Sequence, residues 1–230
     1  MSSGDVGRAV TEWLSAGSAC GFARVGEIRG VGSAAVGEVF AWNEAGDTEG
    51  GLLGGAVNEP VQAAARRVLA GPDSVEMLEL TIDDSGAVQA GLSCGGSVTV
   101  VVQSAGRIPG QFWSALAERR PVALATVVGE AESLVVLDGG GSFGAVGGPD
   151  AGSAVEDAAR RLLAGGETTS RRVEVGDRTV LVEAFVPEPT LVVVGDGALA
   201  DAITRQAAVL GWPATATTDV DAAAKLLDGA

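Results

Sequence analysis

The chain has no histidine and no tyrosine among its 230 residues, and its only cysteines are Cys20 and Cys94. Without histidine there is no Ser-His-Asp or Cys-His catalytic machinery and no histidine metal site. Two distant cysteines make neither a disulfide framework nor a zinc cluster, so no metal site is expected. Aromatic residues make up 4% of the chain, so its core must be built from Val, Leu and Ala. Cations are scarce as well: 15 Lys and Arg stand against 30 Asp and Glu, a formal charge of −15. That balance argues against nucleic acid or an anionic membrane as the main partner. No apolar run approaches the length of a membrane-spanning helix. The opening residues, Met1 to Asp5, lack the basic and apolar stretches of a secretion signal, so the expected location is the cytoplasm, with reduced thiols.

What is present is glycine, 35 residues of it, and 47% hydrophobic residues, enough for a substantial core. Apolar spacing predicts a helix over 5–16, with Val6, Val10, Trp13 and Leu14 on one face. A strand follows over Cys20–Val25, then a glycine-rich loop from Gly26 to Gly37 and a hairpin around 38–51. Gly51–Glu59 reads as a strand and a Gly-Gly turn opening a helix, with Pro60 in its first turn. That helix runs to about Ala70. Glu76–Thr81 and Ser97–Gln103 are strand-like.

The chain then repeats itself. Ala64–Gly71 returns as Ala158–Gly165 at a spacing of 94, and Gly51–Gly55 as Gly144–Gly148 at a spacing of 93. Phe22–Val25 corresponds to Leu124–Val127. Two related α/β halves are expected, 1–104 and 105–187, with a capping box at Ser153 and Glu156 opening the second long helix. Pro187-Glu188-Pro189 reads as a linker. Beyond it, Leu191–Val194 runs into Gly195-x-Gly197-x-x-Ala200 at a helix start, with a short strand over 214–218, Asp219 where a ribose-binding acid would stand, and a helix over 220–227. The expected fold class is therefore α/β: two related halves followed by an incomplete Rossmann-type βαβα segment, 188–230.

Four groups of residues are candidates for chemistry. Gly195, Gly197 and Ala200 form a nucleotide-like loop, weighed against a Rossmann fragment without ligand. Gly54, Gly55, Asn58 and Glu59 lie at a helix N-terminus where backbone N–H groups suit an anion. The plainer reading is helix punctuation with Asn58 as the cap. Cys94, Gly95 and Gly96 offer an approachable thiol, weighed against a small buried hydrophobe. Arg29, in the glycine-rich loop, is the best placed cation for an anion. Arg24, Arg66 and Arg67 are the other scarce cations, and Cys20 reads as core.

Taken in order, Gly32-Ser33-Ala34, Gly54-Gly55-Ala56-Val57-Asn58-Glu59, Leu92-Ser93-Cys94-Gly95-Gly96, Pro121–Val127 and Gly195–Ala200 resemble the XdhC/CoxI family along nearly the whole chain. The family's first cysteine, in its Gly-Gly-Cys turn, is Ala56 here. The resemblance implies a chaperone, not an enzyme. It would bind the molybdenum cofactor (molybdopterin) transiently and insert it into a client molybdenum hydroxylase of xanthine or carbon monoxide dehydrogenase type. It implies a sulfurase as further partner and no catalytic residues, and a homodimer is expected because it would shelter the edge of the two-stranded segment. Gly54, Gly55 and Gly96 would give close backbone approach, Asn58 and Glu59 would read the pterin, and Cys94 would stand nearest the metal. The alternative is a cofactor-free adaptor for maturation of such an enzyme. A nucleotide-dependent enzyme using Gly195 and Gly197 ranks third.

Overall fold

The computed structural model describes residues 2–32, 35–71, 75–147 and 149–228. The chain divides into two compact units, Met1–Pro187 and Glu188–Ala230. The first unit opens with helix α1 (Ser3–Ser15), capped by Ser2 and Asp5, which bond each other's backbone reciprocally. Strands β1 (Cys20–Arg29), β2 (Val39–Asn43) and β3 (Thr48–Gly50) lead to helix α2 (Asn58–Ala70). Strand β4 (Val75–Ile82), the short helix α3 (Asp84–Gln89) and strand β5 (Gly96–Ser104) complete one antiparallel sheet in the order β3-β2-β1-β5-β4. Helix α4 (Gly110–Ala117), strands β6 (Val122–Val127), β7 (Ser133–Leu137) and β8 (Ser142–Gly144), helix α5 (Pro149–Ala164), and strands β9 (Thr169–Val175) and β10 (Arg178–Phe185) repeat the plan. Their sheet has the order β8-β7-β6-β10-β9.

Alternation along the strands sorts the residues into layers. Ala23 and Val25 face α2 with Val61, Ala64 and Val68, while Phe22 faces α1 and α4. Ala123, Ala125 and Val182 face α5 through Val155 and Ala159. The helices α1 and α4 pack on each other between the sheets, where Phe22, Phe112 and Trp113 meet edge to face. Each half thus covers the outer face of its sheet with one long helix and shares the inner face with the other half.

The two halves match residue by residue. The Val25 N–H donates to the Glu38 carbonyl, and the Val127 N–H to the Glu132 carbonyl. Arg24 pairs with Val39 and Val101, and Thr126 with Ser133 and Leu181. Thr99 donates to Glu79 across β5–β4, and Thr179 to Glu174 across β10–β9. Gly50 and Gly144 each hold a left-handed backbone against the carbonyl of the partner strand. These matches place the equivalence of the glycine-rich turns at a spacing of 94, not 93. Leu53 therefore corresponds to Gly147, and their φ angles are 51° and 64°. The shift explains an otherwise odd leucine: its left-handed backbone is the one its counterpart adopts as glycine. In both halves a glutamate holds that turn, with the Leu53 N–H donating to Glu38 at 2.6 Å and the Gly147 N–H to Glu132 at 2.9 Å.

Several local expectations need correction. β1 does not stop at Val25. A bulge between Val25 and Glu27 lets it keep pairing with Thr99, Val98 and Ser97 to Arg29, so Gly26–Arg29 is strand and not loop. Leu53–Gly55 is a 3₁₀ turn rather than the end of a strand, because Leu53, Gly54 and Gly55 all have positive φ. α2 is capped at Val57, which makes Asn58 its first residue and not its cap. α5 starts at Pro149, so Ser153 and Glu156 lie inside the helix and Glu156 pairs with Arg160 instead of closing a capping box. Ser33, Ala34 and Gly148 lie outside the described residues.

The second unit contains strands β11 (Leu191–Val194) and β12 (Ala214–Thr217), paired in parallel, with helix α6 (Gly197–Val209) between them and helix α7 (Val220–Asp228) after them. This is a βαβα arrangement. No helix among the described residues is long and apolar enough to cross a membrane.

Candidate functional site

Subtracting the duplicated scaffold isolates what is particular to the first half. It is eight residues longer between Val25 and Val39 than the second half between Val127 and Ser133. It is fifteen residues longer between Glu79 and Thr99 than the second half between Glu174 and Thr179. The two insertions meet. The Cys94 thiol donates to the Gly30 carbonyl at 2.9 Å, and the Gly32 N–H points at its sulfur from 3.3 Å. The Ser93 N–H donates to the Gly32 carbonyl.

Small residues are required at this junction. A Cβ on Gly96 would lie 2.3 Å from the Arg29 carbonyl oxygen, and one on Gly95 would lie 2.4 Å from that of Ile82. The Gly95 N–H donates to the Asp84 carboxylate, which ties the segment to α3. α3 itself is capped by Asp83, whose Oδ1 accepts from the Gly86 N–H at 2.6 Å. That bond, then one from Ser85, holds the Asp83 carboxyl below its ordinary pKa. Cys94 is exposed. Cys20 is its opposite: burial first, then the charge of Glu44, push its thiol up to about 11.

The Gly54 turn reaches the second insertion from its other side. Gly54 packs so closely on the end of α3 that a Cβ would lie 2.0 Å from the Ala90 carbonyl oxygen. Gly54, Gly55 and Asn58 also line a cavity of about 430 Å³ with Phe40, Val61 and Gln62, between the β2–β3 hairpin and the start of α2. Glu59 is exposed outside that lining. Cys94, Gly95, Gly96 and Arg29 do not line it either. Arg29 lines a separate pocket with Glu27, Glu79, Ser97, Thr99 and Arg172. Apart from Glu59, the residues of the first half singled out from the sequence are therefore divided among one cavity, one junction and one polar pocket.

In the second unit, Gly195 and Gly197 have positive φ and open space where a Cβ would stand, and Ala200 is buried in α6. Asp219 serves as the cap of α7, accepting from the N–H groups of Asp221 and Ala222. Among the described residues no cluster of three Cys, Asp or Glu is arranged for a metal ion.

One polar constellation went unread in the sequence. Arg24, fully buried, donates through Nε to Glu183, through Nη1 to Gln103 at 2.9 Å and through Nη2 to Thr126 at 2.8 Å. Gln103 reaches on to Ser133 at 3.3 Å. The network joins the inner faces of the two sheets. Its only signal in the sequence was a cation inside an otherwise apolar strand.

No protein-family model and no curated protein matches the chain. Among solved structures, a protein described as a xanthine dehydrogenase from Bacillus halodurans matches in fold. The match covers 94% of this chain and 62% of that one, with a TM-score of 0.63 and 15% sequence identity. At that identity the likeness is one of fold. The chain spans less than two thirds of the length of that protein.

Proposed function

We propose that this protein is a maturation chaperone for a molybdenum hydroxylase of the xanthine dehydrogenase type, binding the molybdenum cofactor transiently in its first half. The observation that carries the reading is the cavity at Gly54, Gly55 and Asn58, on a fold shared along nearly the whole chain with the Bacillus halodurans xanthine dehydrogenase. Its volume lies in the range of small-molecule sites. The amide groups of Asn58 and Gln62 match the amide edge of a pterin, and Phe40 and Val61 offer apolar contact to its rings. The left-handed turn at Gly54 and Gly55 brings backbone into the lining with no side chain of its own. The lining contains no cation, so a phosphate would have to extend out of the cavity toward solvent. Ala56 supplies no thiol. Exposed Cys94 lies beyond the lining and would act only on a ligand that reaches the junction.

The test is extraction of fluorescent pterin from protein produced in a cofactor-making host, compared with Asn58→Ala and Gln62→Ala variants of unchanged melting temperature. Near-stoichiometric pterin that falls in both variants is the expected result. Folded protein without pterin would overturn the reading. It would favour a cofactor-free adaptor for the same enzyme class, which the separation of Cys94 and Arg29 from the cavity also suits.

A further inference from the structure

A second pocket, of about 250 Å³, lies where the extension of β1 meets the other half. Its floor is Ser97, Val98 and Thr99 of β5. Its walls carry Glu27 and Arg29 from β1, Glu79 from β4 and Arg172 from β9. Its charges balance formally but not in geometry. Arg172 holds both carboxylates, bonding Glu27 at 2.8 Å and Glu79 at 3.0 Å. Thr99 donates to the same Glu79. Among the described residues, Arg29 has no ion pair and its guanidinium has no acceptor, and the Ser97 hydroxyl is equally uncommitted.

The repeat shows that packing does not require this arrangement. The counterpart of Arg172 is Met77, which packs beside Val75, Val101 and Leu181. An apolar residue therefore serves at the equivalent place. A set of ion pairs where methionine would do is weak evidence for stability. The stretch that carries Glu27 and Arg29 is itself an addition, since the second half turns back directly after Val127.

We propose that this pocket is an oxyanion site, taking the carboxylate or phosphate group of a small ligand. Arg29 binds the anion through its planar fork, the geometry that carboxylates and phosphates match bidentately. Ser97 donates a further hydrogen bond. Arg172 acts indirectly, keeping Glu27 and Glu79 engaged so that their charges do not repel the anion. The site is complete only with both halves, because Arg172 comes from the second. It is separate from the Gly54 cavity and does not rest on the cofactor reading.

The test uses the full chain and two probes, inorganic phosphate and acetate, followed by calorimetry at neutral pH. Saturable binding of either probe is expected, with phosphate alone indicating a phosphate ligand and acetate alone a carboxylate. Arg29→Ala should weaken it about tenfold or more, the loss of a charge-assisted contact. Because the Arg29 guanidinium has no partner among the described residues, that variant should melt as the parent does. Ser97→Ala should weaken binding less, and it provides a second readout should Arg29→Ala lose stability. Arg172→Met should also weaken binding by freeing two carboxylates. Folded parent protein that binds neither probe, or Arg29→Ala and Ser97→Ala variants that both bind as the parent does, would overturn the proposal. Absence of pterin from the purified protein would leave it standing.

Discussion

Replacing Arg24 by methionine tests whether the buried network holds the two sheets together. The side chains of Arg24 and Glu183 are 0% and 3% exposed, so neither has water to fall back on. Removing the arginine leaves a buried carboxylate without its counter-charge and strips Gln103 and Thr126 of a donor. Breaking a buried pair from one side costs about 3–5 kcal/mol, and that is the expected loss at pH 7. The loss should shrink in mild acid. Burial already pushes the Glu183 carboxyl above its ordinary pKa, with Arg24 pulling the other way. Without Arg24 it rises further. A carboxyl whose pKa is higher in the folded than in the unfolded state contributes stability below the unfolded value and loses it as pH rises through the folded value. Arg24→Met should therefore be closer to the parent at pH 5 than at pH 7. Adding Glu183→Gln removes the charge and should recover most of the loss at pH 7. Urea denaturation of the parent, the single and the double variant at both pH values supplies all the numbers. A single variant that costs under about 1 kcal/mol at pH 7, or the same at both pH values, would refute this account of a mutually dependent charged pair.

Further outcomes are expected for Cys94, Asp83 and Gly147. A thiol reagent should modify one cysteine in the folded protein, Cys94, and both in urea, because Cys20 is buried with its pKa at about 11. Asp83 should titrate below its ordinary value by NMR, and the stability that its cap gives α3 should be present above pH 4 and disappear as pH falls through the folded pKa. Asp83→Ala should loosen α3 and speed modification of Cys94, whose segment is tied to that helix. Gly147→Ala should cost about 1–2 kcal/mol, since it forces a side chain into a left-handed backbone and a Cβ to 2.9 Å from that of Ala151. Denaturation curves check that value.

Much of the scaffold was legible because it rests on local signals. The spacing of Val6, Val10 and Trp13 marked α1, and the return of Ala64–Gly71 at Ala158–Gly165 announced the duplication. The Gly-x-Gly-x-x-Ala run marked the strand–turn–helix of the second unit. What stayed hidden depends on pairing between distant residues. Gly26 looked like the start of a loop because glycine weakens a strand interior, yet β5 supplies partners for three residues beyond it, Glu27, Ile28 and Arg29. Matching glycine with glycine set the repeat at 93, whereas the hydrogen bonds of Glu38 and Glu132 show that the true counterpart of Gly147 is a leucine. Helix α3 is too short to show a period. The candidate site was legible only in part. Gly54, Gly55 and Asn58 share a cavity, but the extension of β1 carries Arg29 into another pocket, and Cys94 lies on the connection before β5, held at Gly30 and Gly32.

The equivalence of the halves has a consequence for what their interface can contain. In a dimer of identical subunits, any residue on the symmetry-related surface occurs twice, and the contact forms only as concentration allows. Here the two surfaces are tethered in one chain, so each meets the other at a fixed, high effective concentration. They are also free to differ. Arg24 faces Glu183, while their counterparts Thr126 and Gln103 form a neutral pair in the same network. One continuous polypeptide can thus keep a single charged contact where two separate copies would have to carry a pair of them.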